Sequence, residues 1–274
     1  MATLKFRDTN GDWQYAPSLK YKDKNGAWQT ARNLKYKDAN GIWHRVCVGG
    51  STDDDYPTIG TLTVGSTVYL LENGSPVEYL IVHKGLPDST LYDVSCDGVW
   101  LLRKDLYISK AHNSSYNDYS KSEIYIDLNN NFVPILDDVQ SIIKEVKIPY
   151  TGMSGSTVYT NENGLLTKAF VLGHIELGFT SEHVTYLAVD GAKLDYFDFG
   201  TGTTANNKRI SKLNGVATQY TTRSAHMMGS SYFKSVSASG ASGLIDVNSI
   251  TGVRPALILP YTAKLSPNTN TIIG

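Results

Sequence analysis

Leu4-Lys5-Phe6-Arg7-Asp8-Thr9-Asn10-Gly11-Asp12-Trp13 returns as Leu19-Lys20-Tyr21-Lys22-Asp23-Lys24-Asn25-Gly26-Ala27-Trp28, then as Leu34-Lys35-Tyr36-Lys37-Asp38-Ala39-Asn40-Gly41-Ile42-Trp43, with a period of 15 residues. Leu, Phe or Tyr, and Trp alternate with Lys or Arg in every unit, a strand period with one apolar and one cationic face. Asn-Gly between the halves tolerates positive φ and closes a tight turn. Each unit therefore reads as a short β-hairpin carrying one aromatic pair: Phe6 with Trp13, Tyr21 with Trp28, Tyr36 with Trp43. One hairpin buries too little to stand alone. The six aromatics are accordingly expected to make attachment or oligomer contacts, with a self-contained three-hairpin sheet or a sugar-stacking repeat as the other readings.

Outward from the repeats the composition changes. Residues 1–48 carry nine cationic against four acidic side chains, a net of +5, while the whole chain of 274 residues is at −1. The remainder is thus at −6, and the break marks a domain boundary. Gly49-Gly50-Ser51-Thr52-Asp53-Asp54-Asp55-Tyr56-Pro57 reads as an acidic linker over 49–57. The near-zero total charge argues against nucleic acid and against a polybasic membrane anchor. No apolar run is long enough to span a membrane, and the first residues carry no apolar secretory segment. Cys47 and Cys96 lack metal-type spacing and are expected as reduced thiols rather than a disulfide. Tyrosine, at 18 residues against 7 Phe, suits contact surfaces on a β-rich protein.

Beyond Thr58 strands and turns alternate: 61–64, 68–71, a turn at Glu72-Asn73-Gly74-Ser75-Pro76, then 77–83, with Val99-Trp100-Leu101-Leu102 as a central strand. Two helices are expected. Ser120 with Glu123 forms a capping-box pattern ahead of Ile124 and Leu128. Pro134 opens the second, where Ile135, Leu136, Val139, Ile142, Ile143 and Val146 recur at helical spacing.

Several stretches of this part together carry a resemblance: Val99–Leu102, Ser122-Glu123-Ile124, Lys168–Leu172 with Glu176, Arg209-Ile210 with Leu213-Asn214-Gly215, Tyr220 with Arg223-Ser224, and Gly252-Val253-Arg254-Pro255-Ala256-Leu257. Over residues 60–262 the chain resembles a lectin-like domain family of unknown function from gut Firmicutes and their phages, similar to the C-type-lectin and formylglycine-generating-enzyme fold. It departs from that pattern at Tyr220 and Thr222, and Ala225 replaces a proline. The resemblance implies an α+β, β-rich fold, a C-type-lectin-like domain over 58–262 with two short helices, preceded by three 15-residue β-hairpin repeats and followed by a tail, 263–274. It also implies that an irregular segment, Ser224–Ile250, displays variable side chains. The candidate ligand-binding residues are Tyr220, Arg223, His226, Tyr232, Phe233, Lys234, Asp246 and Asn248. Arg254, beside Pro255 in an apolar run, is expected as a buried, paired guanidinium holding the base of that loop.

Enzyme signatures fail on inspection. Gly200-Thr201-Gly202-Thr203-Thr204-Ala205 matches a dinucleotide fingerprint by letters after a strand-like Tyr196–Phe199, but no helix and no ribose-binding acid are expected to follow. Gly152-Met153-Ser154-Gly155-Ser156 falls short of a nucleophile elbow. His174-Ile175-Glu176 lacks the Pro-Cys-x-x-Cys of zinc deaminases. His44, His83, His112, His183 and His226 show no ligand spacing, and His112 and His226 are expected as loop hydrogen-bonders. The expectation is a non-enzyme without cofactor or metal.

The N-terminal opening is similar to the start of phage fibre proteins. The whole reads as a bacteriophage virion fibre or receptor-binding protein, made in the host cytoplasm and placed in the virion. Its partners would be other virion proteins through the hairpins and a bacterial surface glycan or protein through the head. It would be a homo-oligomer, a trimer by analogy. A capsid or tail decoration protein without a specific ligand is the alternative.

Overall fold

A computed structural model of the chain describes residues 56–273, apart from 113–114, 156, 181–184, 228 and 267–268; within 1–55 it describes Gly26 and the strands named below. The chain divides into two units, Met1–Pro57 and Thr58–Gly274.

In the first unit Lys5–Arg7 pairs antiparallel with Trp13–Tyr15, Lys20–Lys22 with Trp28–Thr30, and Leu34–Lys37 with Trp43–Cys47. Ala2–Thr3 runs parallel to the last of these, with Ala2 opposite Val46, so the start of the segment is tied to its end. The register sets Trp13 opposite Arg7, Trp28 opposite Lys22 and Trp43 opposite Lys37. Phe6, Tyr21 and Tyr36 stand opposite Gln14, Gln29 and His44. The two aromatics of each unit are therefore not directly opposite one another in the register. The turns of the first and third units, and the side chains of all six aromatics, lie outside the described residues.

The second unit is α+β and β-rich, built on two five-stranded sheets. Asn73 and Gly74, at φ 47° and 80°, close the hairpin between Thr67–Glu72 and Ser75–Lys84, where a residue with a Cβ at Gly74 would be strained. Val99–Arg103 is the middle strand of this sheet, between Ser75–Lys84 and Pro255–Leu259, with Ala169–Val171 on the outer side. Its Val-Trp-Leu-Leu run is buried, and Trp100 meets Tyr92 and Phe170 edge to face at 5.7 and 5.6 Å. The second sheet runs Ile108–Ala111, Ile250–Val253, Tyr220–Ala225, Tyr232–Val236, Ser242–Asp246. Arg254 alone separates Ile250–Val253 of one sheet from Pro255–Leu259 of the other.

Several expectations need correction. Residues 61–64 form a short 3-10 turn and bend, because Ile59 and Gly60 bond to Ala263 and Tyr261 instead of to a strand. Ser120 does not cap the first helix: its hydroxyl is held by Asp118, and Ser122 accepts from the Tyr125 amide. From there an α-helix, Glu123–Asp127, widens into a π turn at Leu128–Phe132 and tightens to 3-10 at Val133–Ile135. The second expected helix is absent. Leu136 adopts ψ 96° and bridges to Glu72, Lys144 N donates to Ile258 O, and Val146–Ile148 pairs with Leu165–Thr167. The apolar side chains Leu136, Val139, Ile143 and Val146 are buried as the pattern demands, but bonds to neighbouring strands outbid local helix. The stretch after 262 is no free tail, since Lys264–Leu265 pairs with Ile272–Ile273 and Ile272 is fully buried.

Candidate functional site

The strand Tyr220–Ala225 is buried on both faces, which a Tyr-Thr-Thr-Arg-Ser-Ala sequence tolerates only if every polar group is satisfied. Arg223 is the anchor. Its Nη1 and Nη2 donate to Glu176 Oε2 and Oε1 at 2.6 and 2.5 Å, and its remaining donors reach the carbonyls of Pro149, Val171 and Asp190. Both partners are fully buried. Glu176 also accepts from Tyr92 Oη at 2.6 Å and Gly173 N at 2.8 Å. Gly191 lies so close that a Cβ there would meet Tyr92 Oη at 2.8 Å. Asp190 accepts from Ser224 Oγ at 2.8 Å and Thr151 Oγ1 at 3.3 Å, and burial lifts its carboxyl to about 6 against the pull of Arg223. This bidentate pair, with every lone pair engaged, is scaffold.

Arg254 is buried too, donating to the carbonyls of Arg103, Lys104 and Arg209 and to Tyr220 Oη. It is buried and paired as expected, its partners being carbonyls and a phenol, and it stands at the junction of the two sheets.

The surface near the end of this strand is different. Asn117 is buried, and its Nδ2 reaches the carbonyls of His226, Gly229 and Tyr232 at 3.2, 2.9 and 2.7 Å. Its Oδ1 accepts from Ser154 N at 2.7 Å, and its N donates to Ser230 O at 2.7 Å. One side chain thus fixes the turn between two strands. Around that turn Tyr186 (51% exposed), Tyr232 (44%) and Met227 (43%) lie open. The His226 ring sits 5.4 Å from Tyr186 and 6.4 Å from Tyr232, edge to face with each. Tyr186 is held at φ 55°, a left-handed conformation costly for an aromatic residue, while its carbonyl accepts from Met227 N at 3.2 Å. Burial and the neighbouring Lys234 lower the pKa of His226, so the imidazole is neutral at pH 7.

The expected ligand set therefore divides. His226, Tyr232, Lys234, Asp246 and Asn248 gather at this end of the sheet: Tyr232 pairs with Asp246 across the strands, and Asp246 Oδ1 accepts from Asn248 N. Tyr220, Arg223 and Phe233 are buried and offer no contact surface, and Lys234, though at this end, is buried as well. Phe233 stacks on His112, rings 3.3 Å apart, and His112, in the bend after Ile108–Ala111, bonds Thr222 O as expected of a loop hydrogen-bonder but is fully buried. Ser224–Ile250 is not an irregular loop, because it contains the strands Tyr232–Val236 and Ser242–Asp246. In the first of these strands Tyr232 is exposed and Phe233 to Val236 are all buried. Tyr186 and Asn117 were missed by sequence reasoning, since a lone Tyr or Asn carries no motif.

The enzyme signatures resolve similarly. Tyr196–Phe199 is turn, yet a helix, Thr203–Arg209, does follow Gly202, contrary to expectation. Its Arg209 is buried over Phe179 and donates to Leu177 O and Asp198 O. Cys96 is a buried free thiol whose pKa burial pushes up to about 12, which keeps it protonated. Among the described residues no three His, Cys, Asp or Glu side chains cluster as a metal site, and no helix is long and apolar enough to cross a membrane.

The second unit is thus an α+β domain with a buried ion-paired scaffold and an aromatic turn on its surface. Residues 97–261 match the family described as Domain of unknown function (DUF6273), and the chain belongs to that family. No curated protein and no solved structure matches the chain.

Proposed function

We propose that this protein is a non-enzymatic bacteriophage fibre or receptor-binding protein whose second unit, of C-type-lectin-like fold, attaches the virion to the bacterial surface. The N-terminal strand repeats would dock it to other virion proteins and to further copies of itself. The observation that carries the reading is the Tyr186–His226–Tyr232–Met227 surface. Exposed aromatic rings around a turn that one buried asparagine locks in place offer stacking area with little ordering cost on binding. Loops held on rigid scaffolds are where binding concentrates. The test is adsorption of the fluorescently labelled full chain to candidate host cells. Tyr186→Ala with Tyr232→Ala should abolish adsorption while the melting temperature stays within a few degrees. Undiminished adsorption by the double variant would refute the reading.

A further inference from the structure

Lys234 is 3% exposed, yet its ammonium makes one hydrogen bond, to Thr185 O at 2.6 Å. An ammonium has three donors, and among the described residues no carboxylate stands within ion-pair distance of this one. Burying a cation without a counter-charge is costly. The other buried cations of the domain are satisfied: Arg223 by Glu176, and Arg209 and Arg254 by sets of carbonyls. Lys234 is the exception, and burial lowers its pKa to about 8.

Its surroundings are those of the aromatic surface. Tyr232 lies two residues earlier on the same strand, hence on the same face of the sheet. Thr185, whose carbonyl takes the one bond, precedes the exposed Tyr186. The charge of Lys234 is felt at His226 and at buried His174, and neither imidazole supplies a negative charge. A cation short of acceptors thus bonds the residue before Tyr186, on the strand face that also carries Tyr232.

We infer that Lys234 with Tyr232, His226 and Tyr186 forms a receptor for an acidic saccharide, whose carboxylate or phosphate takes the free ammonium donors while its sugar ring lies on the aromatic side chains. The inference rests on the attachment reading and names its ligand class. A charge-assisted hydrogen bond in a dry site discriminates strongly against the neutral analogue.

The experiment is calorimetric titration of the full chain with glucuronate, glycerol 1-phosphate and glucose. At least one acidic probe should bind tenfold or more tightly than glucose, and which one does so separates a uronic-acid source from a phosphate-polymer source. Lys234→Met should bring the acidic probe down to the glucose level, with an unchanged or higher melting temperature. Equal affinities for all three probes, no binding by either acid, or full retention in Lys234→Met would each overturn the inference. The comparison among probes needs only the wild-type chain, so it stands even if the variant misfolds. Host adsorption lost in the tyrosine variant but kept in Lys234→Met would leave attachment standing and remove the acidic ligand.

Discussion

Glu176→Gln tests the scaffold with almost no change of volume. The carboxylate accepts four hydrogen bonds, two from Arg223 and one each from Tyr92 Oη and Gly173 N. A carboxamide keeps one oxygen and presents an NH2 group in place of the other. At the Oε2 position that group would face Arg223 Nη1 and Gly173 N, both donors only; at the Oε1 position it would face Arg223 Nη2 and Tyr92 Oη. Either way a fully buried guanidinium loses its counter-charge and meets a donor. Removing one member of such a pair costs about 3–5 kcal/mol. In a domain of this size each kcal/mol moves the melting temperature by roughly 2–4 °C, so a fall of roughly 6–20 °C is expected. Urea unfolding followed by near-UV circular dichroism should give the same loss as a shift in midpoint with little change in slope. Replacing both partners, as Glu176→Leu with Arg223→Met, should cost much less than the two single changes together, because no charge is left stranded. A loss below about 1 kcal/mol for Glu176→Gln is what a solvated surface pair gives, and it would refute the buried-scaffold argument.

Phe233→Ala should lower stability by about 3–5 kcal/mol, since the ring is fully buried against His112, whereas Tyr232→Ala should stay within about 1 kcal/mol; calorimetric melting of the two single variants checks the pair. His112 is pushed by burial from an ordinary 6.5 to about 3, so as pH falls through that window the unfolded chain takes a proton the fold refuses and stability drops. Asp190, lifted from 3.8 to about 6, works in the opposite direction between those values, and Asp190→Asn should therefore steepen the acid loss between pH 6 and 4 by about 1.4 kcal/mol per pH unit, read from urea midpoints. An unchanged slope would show that Asp190 titrates alike in both states.

Much of this fold is legible in the residues where a single local signal dominates. Asn73-Gly74 specifies its turn whatever surrounds it, and Val99–Leu102 is too apolar and too short for anything but a central strand. Legibility fails where tertiary bonds compete with a local pattern. Residues 134–146 have helical spacing, yet the Lys144 amide is claimed by Ile258 O and the backbone at Leu136 by Glu72. The candidate site was half legible for a related reason. Polar and aromatic side chains in Ser224–Ile250 point to contact chemistry, but composition alone does not say which of two adjacent rings faces the core. Arg223 and Glu176 stand 47 residues apart in the chain, and no local pattern announces a pair across that distance.

The alternation within one strand joins scaffold to surface. Phe233 stacks on His112, whose Nε2 contacts Thr222 O, so this residue locks Tyr232–Val236 to the central strand that also carries Arg223. Its neighbours Tyr232 and Lys234 are thereby turned to the opposite face, Tyr232 exposed and Lys234 buried with its ammonium on Thr185 O. Asn117 then bonds the turn between the strands through backbone carbonyls alone, those of His226, Gly229 and Tyr232. A turn held by its carbonyls is indifferent to its side chains. The fold is thus secured by Arg223, Glu176 and Asn117, which never reach the surface, while the exposed side chains of Tyr186, Tyr232 and Met227 take no part in those bonds. On the attachment reading proposed above, that separation lets specificity change while stability stays with Arg223, Glu176 and Asn117.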